Sequence, residues 1–182
     1  MSETDRHRHL VTEYVQGNGV DLGSDGSPIA PWAIQLDLPD EQFKSYNPNR
    51  ERGNIHYQGD ATDLPFKDHT LDFVHASHLL EDFADWGPVL REWDRVLKPG
   101  GYMLIAVPDR LRFRRNVLRG LEANPPYDCD NGNHRHESHV GELTAYLHTY
   151  EAIRDDFVDD NPDCYSILYI GRKPVPEPQV PG

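Results

Sequence analysis

Positive charge is scarce in these 182 residues: 18 lysines and arginines stand against 31 aspartates and glutamates, a formal net charge of −13. Such a surface repels phosphate backbones and anionic membranes, so neither bulk nucleic acid nor a membrane is an expected partner. Cysteine is scarcer still. Cys129 and Cys164 belong to no Cys-x-x-Cys pair and supply neither a disulfide framework nor a zinc site, which suits a reducing compartment. No apolar run approaches the roughly 18 residues of a membrane span, and the start MSETDRHRH has no signal-like apolar core, so a cytoplasmic protein is expected. Gly-x-Gly-x-x-Gly spacing is also missing, which weakens any reading as a nicotinamide-dependent oxidoreductase. The length fits one domain with one core.

A helix is in short supply as well. Gly19 to Leu22 and Ala33 to Leu38 read as neighbouring strands, yet only eleven residues, Gly23 to Ala33, lie between Leu22 and Ile34. A crossover between parallel strands normally takes a dozen residues or more and carries a helix. Eleven extended residues reach about 36 Å, ample for a return of roughly 15 Å along one strand. A helix over that distance would use about ten residues and leave almost none for the turns. The spacing therefore predicts at most one helical turn there.

The other elements follow from periodicity. Ser2 predicts a helix cap over residues 3 to 15, with Leu10, Val11, Tyr14 and Val15 at helical spacing. DEQFKSYNPNRERGN reads as a mobile loop or lid. Ile55 to Gln58 and Leu71 to Ser77 read as strands. From Asp82 or Asp85 to Leu97 runs an amphipathic helix, with Trp86, Val89, Leu90, Trp93 and Val96 on one side, stopped by LKPGG. Tyr102 to Pro108 lacks alternation, as in a strand buried on both faces. Arg110 to Gly120 is arginine-rich, 124 to 139 is an irregular insertion, and Gly141 to Glu151 is a helix candidate. Ala152 to Val158 and Tyr165 to Gly171 form a hairpin across DDNPD. This order predicts an α/β doubly wound sheet, mostly parallel with an antiparallel C-terminal edge strand. Residues 1–173 make the single domain, and 174–182 a proline-rich disordered tail.

Ligands of open α/β sheets sit at the carboxyl ends of the strands, near the point where strand order reverses. Four strand ends carry suitable residues: DLGSDG, the Asp37 of QLDLP, Asp60-Ala61, and His75-Ala76-Ser77-His78. Glycines admit a ligand close to the backbone, and Asp37 suits two ribose hydroxyls.

The order DLGSDG, QLDLP, GDATDLPF, LDFVHASHLLEDF, LREWDRVLKPGGYMLIAVP resembles the class I S-adenosylmethionine-dependent methyltransferases, in particular the small bacterial type 11-like group. The resemblance covers residues 19 to 108, is most specific over 59 to 81 and at LKPGG, and fits SILYIGRKP as the closing strand. It implies a Rossmann-like fold and S-adenosyl-L-methionine as cofactor. Carried over by position, it implies Asp21, Gly23 and Ser24 along the methionine part, Asp37 with Leu38 at the ribose, Asp60 and Ala61 at the adenine, and Ala76 closing the sulfonium pocket. Two positions depart from the group: Pro28 follows Ser27 where a third small residue is usual, and Leu80-Glu81-Asp82 replaces Leu-Glu-His. A cofactor without pyrophosphate has little use for a full helix dipole, so the short crossover is tolerable.

The resemblance implies in-line methyl transfer to a small-molecule or glycan-related acceptor. The alternative is a catalytically reduced S-adenosylmethionine-binding protein with a regulatory or interaction role. His78 is the first candidate for a general base and His139 the second. His134, His136 and His139 in NHRHESH, with Glu137 between, could bind a divalent metal but meet no strict ligand spacing, and are read in preference as a solvated loop or substrate lid. Arg110, Arg112, Arg114, Arg115 and Arg119 either form a solvated helix face or receive an anionic acceptor.

Overall fold

Leu71 to Ser77 and Met103 to Pro108 lack hydrophobic alternation because both faces of these strands are covered, and every residue from Met103 to Pro108 is buried. The computed structural model describes residues 2–46, 53, 55–120 and 134–177. Its strands are Gly19–Leu22 (β1), Ile34–Asp37 (β2), Tyr57–Gln58 (β3), Leu71–Ser77 (β4), Leu97–Pro108 (β5), Glu151–Phe157 (β6) and Ser166–Arg172 (β7). Its helices are Glu3–Val11 (α1), Asp40–Tyr46 (α2), Trp86–Val96 (α3), Arg110–Leu118 (α4) and Glu142–Tyr146 (α5).

The strands form one sheet in the order β3-β2-β1-β4-β5-β7-β6. Strands β1 to β5 run parallel. The expected antiparallel element is β7, which pairs antiparallel with both β5 and β6 and so sits one place in from the edge. Strand order reverses between β1 and β4, whose carboxyl ends are Leu22 and Ser77. That junction is where a ligand crevice opens in such sheets.

Each sheet face has its own cover. On one, α3 buries Trp86, Val89, Leu90, Trp93 and Val96 against β1, β4 and β5. On the other, Val11 and Val15 pack with Ile29, Ala30, Ala33 and Phe73. Between β1 and β2 there is no helix at all, only turns. The N-terminal segment takes that helix's place. Ser2 caps α1 through a reciprocal capping box with Asp5, Arg8 donates to the Pro28 carbonyl (3.0 Å), and the Ser2 and Ser27 hydroxyls bond at 3.1 Å.

Several expectations shift. The first helix stops at Val11 rather than residue 15, although Tyr14 and Val15 still fold back onto the Val11 carbonyl. The polar stretch after β2 is not all loop: α2 opens with Asp40 and Glu41, favourable at a positive helix end, and Phe43 anchors it, 4% exposed. Residues 47–52, 54 and 121–133, which include Cys129, lie outside the described residues, as do 178–182 of the tail. The helix expected over 141 to 151 is only α5, because β6 begins at Glu151. The strand expected over Ile55 to Gln58 shortens to β3.

Candidate active site

Just beyond the carboxyl ends of β1 and β4 lies a cleft of about 340 Å³ lined by Gly23, Asp25, Asp37, Leu38, Phe43, Gly59, Asp60, Ala61, His78, Leu79, Asp82 and Phe83. Of the residues expected at the cofactor, Gly23, Asp37, Leu38, Asp60 and Ala61 reach this wall, as does His78. Asp37 Oδ1 accepts from the Leu38 amide (2.8 Å) and Oδ2 from the Asp25 amide (3.1 Å). A carboxylate has about four acceptor positions, so lone pairs remain for a diol. Asp60 Oδ1 accepts from the Thr62 amide and hydroxyl, which closes the turn, and the Ala61 carbonyl accepts from buried Trp93 Nε1 (2.9 Å). Helix α3 thereby fixes the Ala61 wall.

Asp21, Ser24 and Ala76 are placed behind the cleft wall rather than on it. Side chains alternate along a strand, and Asp21 projects toward α1. There its carboxylate, 1% exposed, accepts from the Ile29 amide (2.5 Å) and from His75 Nδ1–H (2.6 Å), its neighbour in register on β4. His75 Nε2 faces His7 Nε2 at 3.0 Å. Because an ionised carboxylate only accepts, His75 presents Nδ1–H to Asp21, and its Nε2 shares one hydrogen bond with His7. Asp21 therefore ties the short crossover, the sheet and α1 together. Ser24 Oγ donates to Gln35 Oε1 (3.2 Å), and Ala76 is fully buried in the core.

The cleft's acidity narrows what it can hold. Asp25, Asp37, Asp60 and Asp82 all line it, between the apolar side chains of Leu38, Phe43, Ala61, Leu79 and Phe83. Four carboxylates oppose a pyrophosphate and favour a ligand carrying positive charge on an apolar and ribose-bearing body.

At the β4 end, His78 adopts a left-handed backbone (φ 52°), a strained conformation for a residue with a side chain. Its Nε2 lies 3.0 Å from Ser166 Oγ and its Nδ1 3.7 Å from Glu81 Oε1. Burial lowers its basicity, Glu3 partly restores it and Arg6 opposes. Glu81, which the sequence singled out only as part of a motif, is 1% exposed, and among the described residues neither carboxyl oxygen has a hydrogen-bond partner. Burial, reinforced by Asp82, pushes its carboxyl well above the usual range.

The NHRHESH histidines go to three separate places. His134 Nε2 lies 3.6 Å from Glu81 Oε1, and burial pushes its imidazole down to about 4. His136 stacks on Trp86 and bonds Glu142 Oε1 at 2.6 Å. His139 is half exposed, 3.8 Å from Asp109, and does not line the cleft. The Glu81 carbonyl accepts from the Arg135 and His136 amides, so this segment folds over the β4 end. Three of the five arginines between 110 and 119 are engaged elsewhere. Arg112 lies over the Phe157 ring and donates to the Cys164 carbonyl, Arg115 donates to the Pro162 carbonyl, and Arg119 pairs with Asp163 at 2.5 Å. They pin the β6–β7 hairpin.

Comparison with known proteins agrees with this geometry. A methyltransferase domain family matches residues 20–105. A probable S-adenosylmethionine-dependent methyltransferase of Mycolicibacterium smegmatis is 30% identical over 134 residues, covering 74% of this chain and 47% of that protein. A ubiquinone/menaquinone biosynthesis C-methyltransferase of Vibrio parahaemolyticus is 41% identical over 70 residues, covering 38% of this chain and 25% of that one. The chain thus spans less than half the length of these relatives. Among solved structures, a possible histamine N-methyltransferase of Thermotoga maritima shares the fold with a TM-score of 0.64 at 20% identity, over 93% of this chain and 89% of that one.

Proposed function

We propose that this chain, which belongs to the class I S-adenosylmethionine-dependent methyltransferases, binds S-adenosylmethionine in the aspartate-lined cleft and methylates a small-molecule acceptor with His78 as general base. The observation that carries the reading is the Asp37 carboxylate, held at the end of β2 by the Leu38 and Asp25 amides inside a cleft whose charged lining is acidic apart from the histidine. Asp37 would hold the ribose hydroxyls, Leu38, Ala61 and Leu79 the adenine, and the wall near Gly23 the methionine end. Bound there, the cofactor supplies a methyl group already activated on a sulfonium sulfur. The chain's own task is alignment and exclusion of water, to which Phe43, Leu79 and Phe83 contribute apolar walls.

On the acceptor side, His78 is the titratable ring in the cleft, and its burial-lowered basicity favours the neutral form a base requires at pH 7. The acceptor is a small molecule, glycan-related compounds included, whose reacting atom gives up a proton. Arg112, Arg115 and Arg119 hold the hairpin and Arg110 pairs with Glu137 at 3.3 Å, so most of this arginine cluster serves the fold rather than an anionic group on the acceptor. The binding-only alternative separates from this reading by turnover. Calorimetric titration with S-adenosylmethionine, S-adenosylhomocysteine and NAD, followed by transfer of labelled methyl to a panel of phenols, catechols and sugars, tests both halves. Asp37→Ala is expected to weaken S-adenosylhomocysteine binding at least about 100-fold, the loss of two charge-assisted hydrogen bonds at about 1.5–3 kcal/mol each. An unchanged dissociation constant, or preference for NAD, refutes the cofactor assignment.

A further inference from the structure

We infer that Glu3 is a positioning residue of this site: acting through Ser166, it holds His78 as the Nε2–H tautomer and so presents Nδ1, between Glu81 and His134, as the atom that takes the acceptor's proton. The inference rests on the reading of His78 as the base and deepens it.

The chain of donors and acceptors leaves little choice. Glu3 is the first residue of α1, and its carboxylate, 27% exposed, accepts from Tyr165 Oη at Oε1 (3.1 Å) and from Ser166 Oγ at Oε2 (3.1 Å). Ser166 has one hydroxyl proton. Once it is given to the carboxylate, the contact of Ser166 Oγ with His78 Nε2 at 3.0 Å requires Nε2–H as donor. The lone pair then sits on Nδ1. A nucleophile or base held by a second group that is itself oriented by a third is the recurrent arrangement for a poised proton acceptor.

Glu81 Oε1 lies 3.7 Å from His78 Nδ1 and 3.6 Å from His134 Nε2, distances too long for hydrogen bonds, so Glu81 does not engage the Nδ1 lone pair. Glu81 is 1% exposed, and among the described residues its oxygens have no hydrogen-bond partner. His78 lines the cleft, and with Nε2 committed to Ser166 the nitrogen left for the acceptor's reacting group is Nδ1. As that group's lone pair bonds the methyl carbon, the methyl–sulfur pair stays on sulfur and the acceptor's proton moves to Nδ1, giving an imidazolium. Glu3, by way of Ser166, faces the positive charge so formed. The other titratable or charged groups around His78 are His7 and His134, each repelled by a His78 cation, Arg6, which pairs with Glu3 at 3.5 Å and opposes the imidazolium, and Glu81, whose carboxyl is raised by burial and neighbouring Asp82.

The test reads the ring directly. In histidine-¹⁵N-labelled protein with S-adenosylhomocysteine bound, two-dimensional ¹H–¹⁵N correlation is expected to show His78 with a pyrrole-type Nε2 and a pyridine-type Nδ1. Ser166→Ala is expected to mix the tautomers, and Glu3→Gln to lower the pH at which His78 titrates. With an acceptor that the wild type turns over, Glu3→Gln is expected to lower kcat about tenfold at unchanged KM for the cofactor, with Glu3→Asp recovering part of it. A proton on Nδ1 in the wild type, or a His78 tautomer and titration untouched in both variants, overturns the inference. Should the tautomer respond as expected while His78→Gln transfers methyl at the wild-type rate, the positioning chain stands and the assignment of His78 as base falls.

Discussion

His7 gives the fold a calculable sensitivity to acid. Its side chain is 1% exposed and hydrogen-bonded to His75, and burial, with repulsion from His75 and His78 adding to it, pushes its imidazole from an ordinary 6.5 down to about 2. In the unfolded chain it titrates normally. Below pH 6.5 the unfolded state therefore gains a proton that the native state refuses. The stability is fully present above 6.5 and is lost as pH falls. At pH 5, a unit and a half below the unfolded value, the loss from His7 alone is about 2 kcal/mol. That is a sizeable part of the 5–15 kcal/mol typical of a folded domain. Urea unfolding followed by the fluorescence of buried Trp86 and Trp93, at pH 7.5 and pH 5, measures it against His7→Gln, whose amide can donate to or accept from His75 but cannot titrate. Glu81 acts with opposite sign, since its raised carboxyl stabilises least at high pH, but it is common to both proteins and cancels. The wild type should lose about 2 kcal/mol more than the variant over this range. Equal losses would show that His7 takes up its proton in the folded state, and the buried Asp21–His75–His7 chain would be misread.

Two further predictions concern the short crossover. Asp21→Asn sets an amide NH₂ against one of two donors, the Ile29 amide or His75 Nδ1–H, in a site 1% exposed; a loss of about 2–3 kcal/mol in urea unfolding is expected, and an unchanged midpoint would count against the assigned bonds. Gly26 has φ 76°, and a Cβ there would stand 2.3 Å from Gly53 Cα. Gly26→Ala must displace that turn at about 1–3 kcal/mol and, through neighbouring Asp25, weaken S-adenosylhomocysteine binding; a thermal midpoint and dissociation constant both equal to wild type would refute the contact.

Strand β4, the Tyr102 to Pro108 part of β5 and helix α3 were legible because long uninterrupted patterns carry them, whereas the start of β5 at Leu97 runs through the LKPGG stretch read as a turn. Asp37 and Asp60 were legible as acids at strand ends that do reach the cleft. Asp21 gave the same signal and faces the other way, because strand alternation decides the face and a four-residue strand with every residue buried shows no alternation to read. Helix α2 was hidden by its charge, with Phe43 its one buried anchor among the described side chains. Glu3 was invisible for a different reason. Its partners Tyr165 and Ser166 lie more than 160 positions away, and a long-range contact between a helix start and a returning strand leaves no local pattern.

The missing crossover helix and the candidate base belong to one structural problem. A sheet face left bare beside β1 exposes Phe73 and leaves the ligand loop without support, and α1 meets both needs. Val11 and Val15 fill the apolar gap beside Ile29 and Ala33, while Arg8 and Ser2 hold the Pro28 and Ser27 ends of the loop. The same helix sends His7 to the His75–Asp21 pair and Glu3 to Ser166 and Tyr165. One turn of backbone separates Glu3 from His7, so the group that orders His78 and the group that orders the crossover move as one rigid unit. A helix inside the crossover would cover this face without setting the tautomer of a residue at the end of β4; α1 does both because it enters the sheet from outside the β1–β2 connection and reaches past it to β7.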